Sequence, residues 1–155
     1  MKKLLAGILL LVVSMFAHAD FSTSLKEEFK EAHYGMHLLS DHANNDGTNN
    51  GNLGLYVRTK SGITVGHYKN SCNTYTNYYG WSTPEWYRLR VTPVIASGYH
   101  CLTERQGISE GRRWNLTIVP TVRIATWENI AGLQEVSIRG MFVPGLYHLM
   151  AEVQF

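Results

Sequence analysis

The last ten residues, Leu146 to Phe155, constrain the fold more than any other stretch of this chain. In an extended strand Tyr147, Leu149, Ala151, Val153 and Phe155 share one face, and His148, Met150, Glu152 and Gln154 share the other. An apolar face of this length matches a lipid-facing strand, which crosses a bilayer in ~9–11 residues. The segment 86–97 repeats the logic. Trp86 opens it, Tyr87, Leu89, Val91 and Ile95 lie on one side, and Arg88, Arg90 and Thr92 lie on the other. Arginine is tolerated in the lumen of a closed barrel and is costly against lipid.

Alternation of this kind recurs. Eight candidate strands run over 34–42, 52–60, 63–70, 74–81, 86–97, 114–124, 133–142 and 146–155. Gly- and Asn-rich turns separate them, which argues an all-β fold. The reading is an eight-stranded antiparallel transmembrane β-barrel over 33–155, preceded by a short amphipathic helix over 20–32. Phe21, Leu25 and Phe29 recur four residues apart on that helix and suit a membrane interface or a soluble core equally. Nine Tyr and four Trp supply the aromatic girdles of a membrane barrel. A soluble periplasmic sandwich with an aromatic core is the competing architecture.

Loop lengths offer an independent test, because one end of a membrane barrel carries short turns and the other longer loops. Placing the helix on the inner side makes Ser61-Gly62, 82–85 and 125–132 the inner connections. The outer ones are 43–51, 71–73, 98–113 and 143–145. The two longest are outer, but 125–132 is longer than an inner turn should be.

The N-terminus reads as a signal peptide over 1–19. Lys2 and Lys3 precede the apolar run Leu4–Phe16, and Ala17-His18-Ala19 fits a cleavage site that leaves Asp20 first. The run is short for a membrane helix. Cleavage removes Lys2 and Lys3, so Lys plus Arg falls from 14 to 12 and balances 12 Asp plus Glu. A charge near zero gives no argument for a nucleic-acid partner. Export makes a Cys72–Cys101 disulfide the expected state. No metal or cofactor is expected. The acidic stretch Asp41–Asp46 lacks the spacing and terminal Glu of an EF-hand loop.

Three stretches resemble the lipid A palmitoyltransferase family. They are Gly66-His67-Tyr68-Lys69-Asn70-Ser71 followed by Tyr79-Gly80-Trp81, the turn Val143-Pro144-Gly145-Leu146-Tyr147, and the ending Val153-Gln154-Phe155. Only the first has real specificity. The resemblance implies a small outer-membrane enzyme, an N-terminal amphipathic helix before an eight-stranded barrel, which moves a palmitoyl chain from a phospholipid to lipid A. It implies a catalytic His on or just beyond the first strand, with an adjacent Asp and Ser after the third. Ser71 matches the Ser, and Asn70 stands where the family has Asp. His37 and His42 compete for the His, and His42 is preferred because it lies at the outer end of the first strand. Strand counting places Asn70 and Ser71 at that same end. Acyl transfer needs a base beside the attacking hydroxyl and a group that polarises the ester carbonyl. With Asn at 70, Asp41 or Asp46 is left as a source of an orienting carboxylate. Pro93 and Pro120 interrupt strands. In the resembled family prolines flank lateral gaps that admit lipid, so Pro120 marks either such a gap or a plain bulge. Lipid A deacylases, which use His and Ser two residues apart, fit less well, because His42-Ala43-Asn44 lacks the Ser.

Three functions follow as expectations. The first is a monomeric barrel acting on outer-membrane phospholipid and lipid A. The second is a non-catalytic surface barrel, of the kind prophages also encode, whose external loops bind a partner or block a receptor. The third is a soluble periplasmic binding domain.

Overall fold

A computed structural model describes residues 21–42, 50–98, 114–143 and 146–155. Helix α1, Phe21–Lys30, is followed by β1 His33–His42, β2 Gly54–Arg58, β3 Ile63–Lys69 and β4 Tyr75–Trp81. Then come β5 Leu89–Ser97, β6 Trp114–Ile130, β7 Leu133–Val143 and β8 Leu146–Gln154. Each strand pairs antiparallel with the next and β8 returns to β1, so the sheet closes on itself. A two-sheet sandwich is thereby excluded. The expected signal peptide, Asp46, His100, Cys101 and the Pro144-Gly145 turn lie outside the described residues. Among the described residues no helix is long and apolar enough to cross a membrane, which says nothing about the strands.

The burial pattern is inverted relative to a protein folded around an oily core. The largest fully buried side chains are Arg139, Glu152, Asn70, Thr76 and Ser137. Leu55, Leu116 and Ile118 are 68%, 78% and 64% exposed on the outside. Charged groups are almost never buried unless paired, and here they are paired within the lumen. Glu152 receives Arg90 at 2.6 and 3.2 Å and the Tyr56 hydroxyl at 2.9 Å. Above this charged layer, Tyr56, Tyr78, Val94, Ala96 and Met150 form the apolar filling. Two glycines make room for it. Gly35 pairs with Tyr56 and Gly66 with Tyr78 across the ladder, and a Cβ at either glycine would run into the facing ring.

Helix α1 docks on the rim of the barrel end where β1 begins. The Ser61 N–H donates to the Glu28 carboxylate at 2.9 Å, and the Lys60 N–H to the Glu28 carbonyl at 3.2 Å. The Ser61 amide holds the Glu28 carboxyl below its usual range. Leu25 and Phe29 remain exposed on the helix. The helix is two residues shorter at its C-terminal side than the expected 20–32.

Two expectations need correction. Strand β6 does not stop at 124 but continues to Ile130, and the expected connection 125–132 shrinks to the turn Ala131-Gly132, with φ of 51° and 83°. A bulge between Arg123 and Ala125 shifts the inside–outside phase, so the outward residues run Val122, Ile124, Trp127 and the alternation looks broken. The helix end therefore carries a short turn here. The second correction concerns Arg88. Arg90 and Thr92 face the lumen, but Arg88 is exposed, in a two-residue turn with Tyr87 at φ 74° and 47°. Trp86 and Leu89 flank that turn and exchange backbone hydrogen bonds of 2.9 and 2.8 Å. Strand β5 begins only after it.

Candidate active site at the far end of the barrel

His37 and His42 are five residues apart, so a regular strand would turn them to opposite faces. A bulge in β1 between His37 and Leu39 adds Leu38 and reverses the phase. His33, Gly35 and His37 point inward before it, and Ser40 and His42 after it. Beyond His37↔Gly54 the β1–β2 ladder ends. The chain returning to β2 stays tied to β1 there by the Ser40 N–H, which donates to the Asn50 carbonyl at 2.9 Å.

Three side chains meet at this end. Ser71 Oγ lies 2.8 Å from Nε2 of His42, and Nδ1 of His42 lies 2.9 Å from Oδ1 of Asn50. With the amide oxygen as acceptor, Nδ1 carries the proton, and Nε2 is free to accept the Ser71 O–H. All three groups are partly buried. A hydroxyl, an imidazole and an orienting amide in this order can activate the hydroxyl as a nucleophile, and Asn orients His in this way in some enzymes.

Asn70 is not part of that relay. It is fully buried, and its Oδ1 accepts the Cys72 N–H at 2.9 Å, the Thr74 N–H at 3.2 Å and the Thr74 hydroxyl at 3.1 Å. Its amide donates to Thr76 Oγ1 at 2.9 Å and to the Gly98 carbonyl at 2.8 Å. Asn70 thus shapes the β3–β4 turn that presents Ser71. Asp41 is exposed on the outer face, opposite Tyr147 on β8. The orienting group that sequence reading missed is Asn50. No local signal separates it from Asn44, Asn45 and Asn49 in the same Asn-rich stretch.

The other described histidines lie away from this relay. His37 bonds His148 at 2.8 Å and the Tyr78 hydroxyl at 2.9 Å, and stacks on Tyr68 at 4.6 Å. It belongs to the lumen filling. His67 stacks on Tyr75 at 5.1 Å on the outer surface. His33 lies at the helix end, at the start of β1.

The wall near the far end is incompletely laddered. Among the described residues β6 pairs with β7 only as far as Thr121↔Met141, immediately after Pro120. From Pro120 back to Trp114, β6 pairs with β5 alone. Phe142 and Val143 of β7 pair only with β8. Pro93 and Pro120 both sit within the β5–β6 ladder, opposite Ile118 and Val91. No protein-family model matches this chain, and a search of curated proteins finds no significant match.

Proposed function

We propose that this chain is a small outer-membrane β-barrel that transfers or hydrolyses the acyl esters of outer-leaflet lipids. The observation that carries the reading is the relay Asn50–His42–Ser71, with separations of 2.9 and 2.8 Å. His42 takes the Ser71 proton as the hydroxyl attacks a phospholipid ester carbonyl, and the lyso-phospholipid leaves with a proton returned from the imidazolium. An acceptor hydroxyl, of lipid A in the resembled acyltransferase family, or water then removes the acyl group. The polar lumen and apolar exterior support residence in a bilayer. The short turns at the helix end and the long connections 43–53 and 98–113 at the other support a far end facing outward. The unladdered stretch between β6 and β7 supports lateral entry of lipid at the level of the site. A Cys72–Cys101 bridge is part of the same reading and would tie the turn bearing Ser71 to the connection 98–113.

Lipid mass spectrometry of cells expressing the chain is the test. An added or missing acyl chain on lipid A, or an accumulation of lyso-phospholipid, is expected, and it disappears in Ser71→Ala and His42→Ala. Unchanged lipids despite good membrane expression would overturn it. The length of 98–113 favours a second reading, a surface barrel whose external connections hold a protein partner. Removing that connection would then abolish partner binding while Ser71→Ala leaves it intact.

A further inference from the structure

The opposite, helix end of the barrel holds a second polar site that the acyl-transfer reading does not use. A cavity of ≈ 240 Å³ there is lined by His33, Arg58, Arg90, Arg123, Glu85 and Glu135, among others. Four guanidiniums, of Arg58, Arg90, Arg123 and Arg139, meet three carboxylates, of Glu85, Glu135 and Glu152. The carboxylates are largely committed. Glu152 takes Arg90 through two hydrogen bonds of 2.6 and 3.2 Å. Glu85 takes Arg123 and Arg139, each at 2.8 Å, and Glu135 stands 3.7 Å from Arg123. Arg58 is left over. Its closest carboxylate contact is 4.0 Å from Glu152, its Nε has no hydrogen-bond partner, and its side chain is only 13% exposed. Nδ1 of His33, beside it, is also buried without a hydrogen-bond partner, 4.0 Å from Glu152 Oε2.

A buried guanidinium that shares its nearest carboxylate with a more closely bound arginine is expensive. Its planar fork of N–H donors suits two oxygens of a phosphate or carboxylate. We propose that this mouth of the barrel binds a small tetrahedral oxyanion of the phosphate class, with Arg58 as its principal ligand and His33 as a second donor. The anion offsets the excess of four guanidiniums over three carboxylates among the described residues and completes the hydrogen bonds of Arg58. Free phosphate and the phosphate of an anionic headgroup in the adjoining leaflet offer the same chemistry.

The test uses the intact barrel in phosphate-free detergent, titrated with inorganic phosphate at constant ionic strength against chloride. Saturable broadening of the phosphate ³¹P resonance is expected, with a rise in Tm of about 5 °C near saturation. Both are lost in Arg58→Gln, and Arg58→Lys, which keeps the charge without the fork, weakens binding about 10-fold. A parallel arm places the barrel in phosphatidylcholine vesicles doped with phosphatidic acid. An Arg58-dependent shift confined to the phosphatidic acid signal supports the site and identifies a headgroup as its source. A response to inorganic phosphate alone supports it with free phosphate as the source. No saturable response of the wild-type barrel in either arm overturns the proposal, whether or not the variants fold. So does a response undiminished in a folded Arg58→Gln barrel.

Discussion

Arg90 reaches across the lumen to Glu152, 62 positions away in the chain, and holds both its carboxylate oxygens, at 2.6 and 3.2 Å. Arg139 stands 3.7 Å from the same carboxylate, with its side chain 1% exposed. Removing one member of a buried ion pair leaves the other uncompensated, at a cost of about 3–5 kcal/mol. Glu152→Ala is therefore expected to lower the unfolding free energy of the detergent-solubilised barrel by that amount, read as a fall in the denaturant midpoint. Arg90→Met combined with Glu152→Leu should cost less than Glu152→Ala alone, because no charge of that pair is stranded.

Asn50 is expected to act as a positioning residue for His42. Asn50→Ala leaves Nδ1 without its acceptor and should lower kcat by roughly 10- to 100-fold with KM nearly unchanged. Loss of the base itself in His42→Ala should cost about 10²–10⁴. Asn50→Asp places a negative charge beside the ring, favours the imidazolium, and so should raise the pH at which the acid limb of kcat/KM appears. A pH profile identical in Asn50→Asp and wild type would remove the role assigned to residue 50.

The glycine–tyrosine pairs of the lumen predict a size limit. Gly66→Ala drives a methyl into the Tyr78 ring, and overpacking of this kind costs about 1–3 kcal/mol. Stability measured by urea titration should fall accordingly and recover in part when Tyr78→Ala is added.

Docking of helix α1 should depend on pH. The Ser61 N–H stabilises the Glu28 carboxylate, so the folded-state pKa lies below the unfolded one. The contact is then fully present above the ordinary carboxylate range and is lost as pH falls through the lowered value. Exchange protection of the Ser61 amide, corrected for its intrinsic rate, should decline over that window in wild type and show no such step in Glu28→Gln.

Regular alternation made much of this architecture legible. Strand β8 matches its expected range closely and places His148, Met150 and Glu152 inside, because no bulge disturbs it. The end of β6 was illegible because the bulge at Ile124 inserts one residue and mimics a strand end. Arg88 misled for a related reason. Two consecutive non-glycine residues with positive φ are rare, so Tyr87 and Arg88 read as strand rather than turn. At the candidate site, strand counting brought His42 and Ser71 to one end. It carried no information on whether Asn70 or Asn50 faces the imidazole. That choice depends on side-chain hydrogen bonds with Thr74, Thr76 and Gly98, which a linear pattern does not contain.

The extra residue in β1 acts as a parity switch. Deleting Leu38 would restore strict alternation and keep the pairing with β8, so Ser40 and His42 would still face the lumen with His37; straightening the strand with Leu38 kept would instead turn both to the outer surface. Loss of the bulge without loss of the residue would thus disconnect imidazole from hydroxyl, with no change to any residue of the relay and none below His37. Within this strand, spacing carries as much of the chemistry as residue identity.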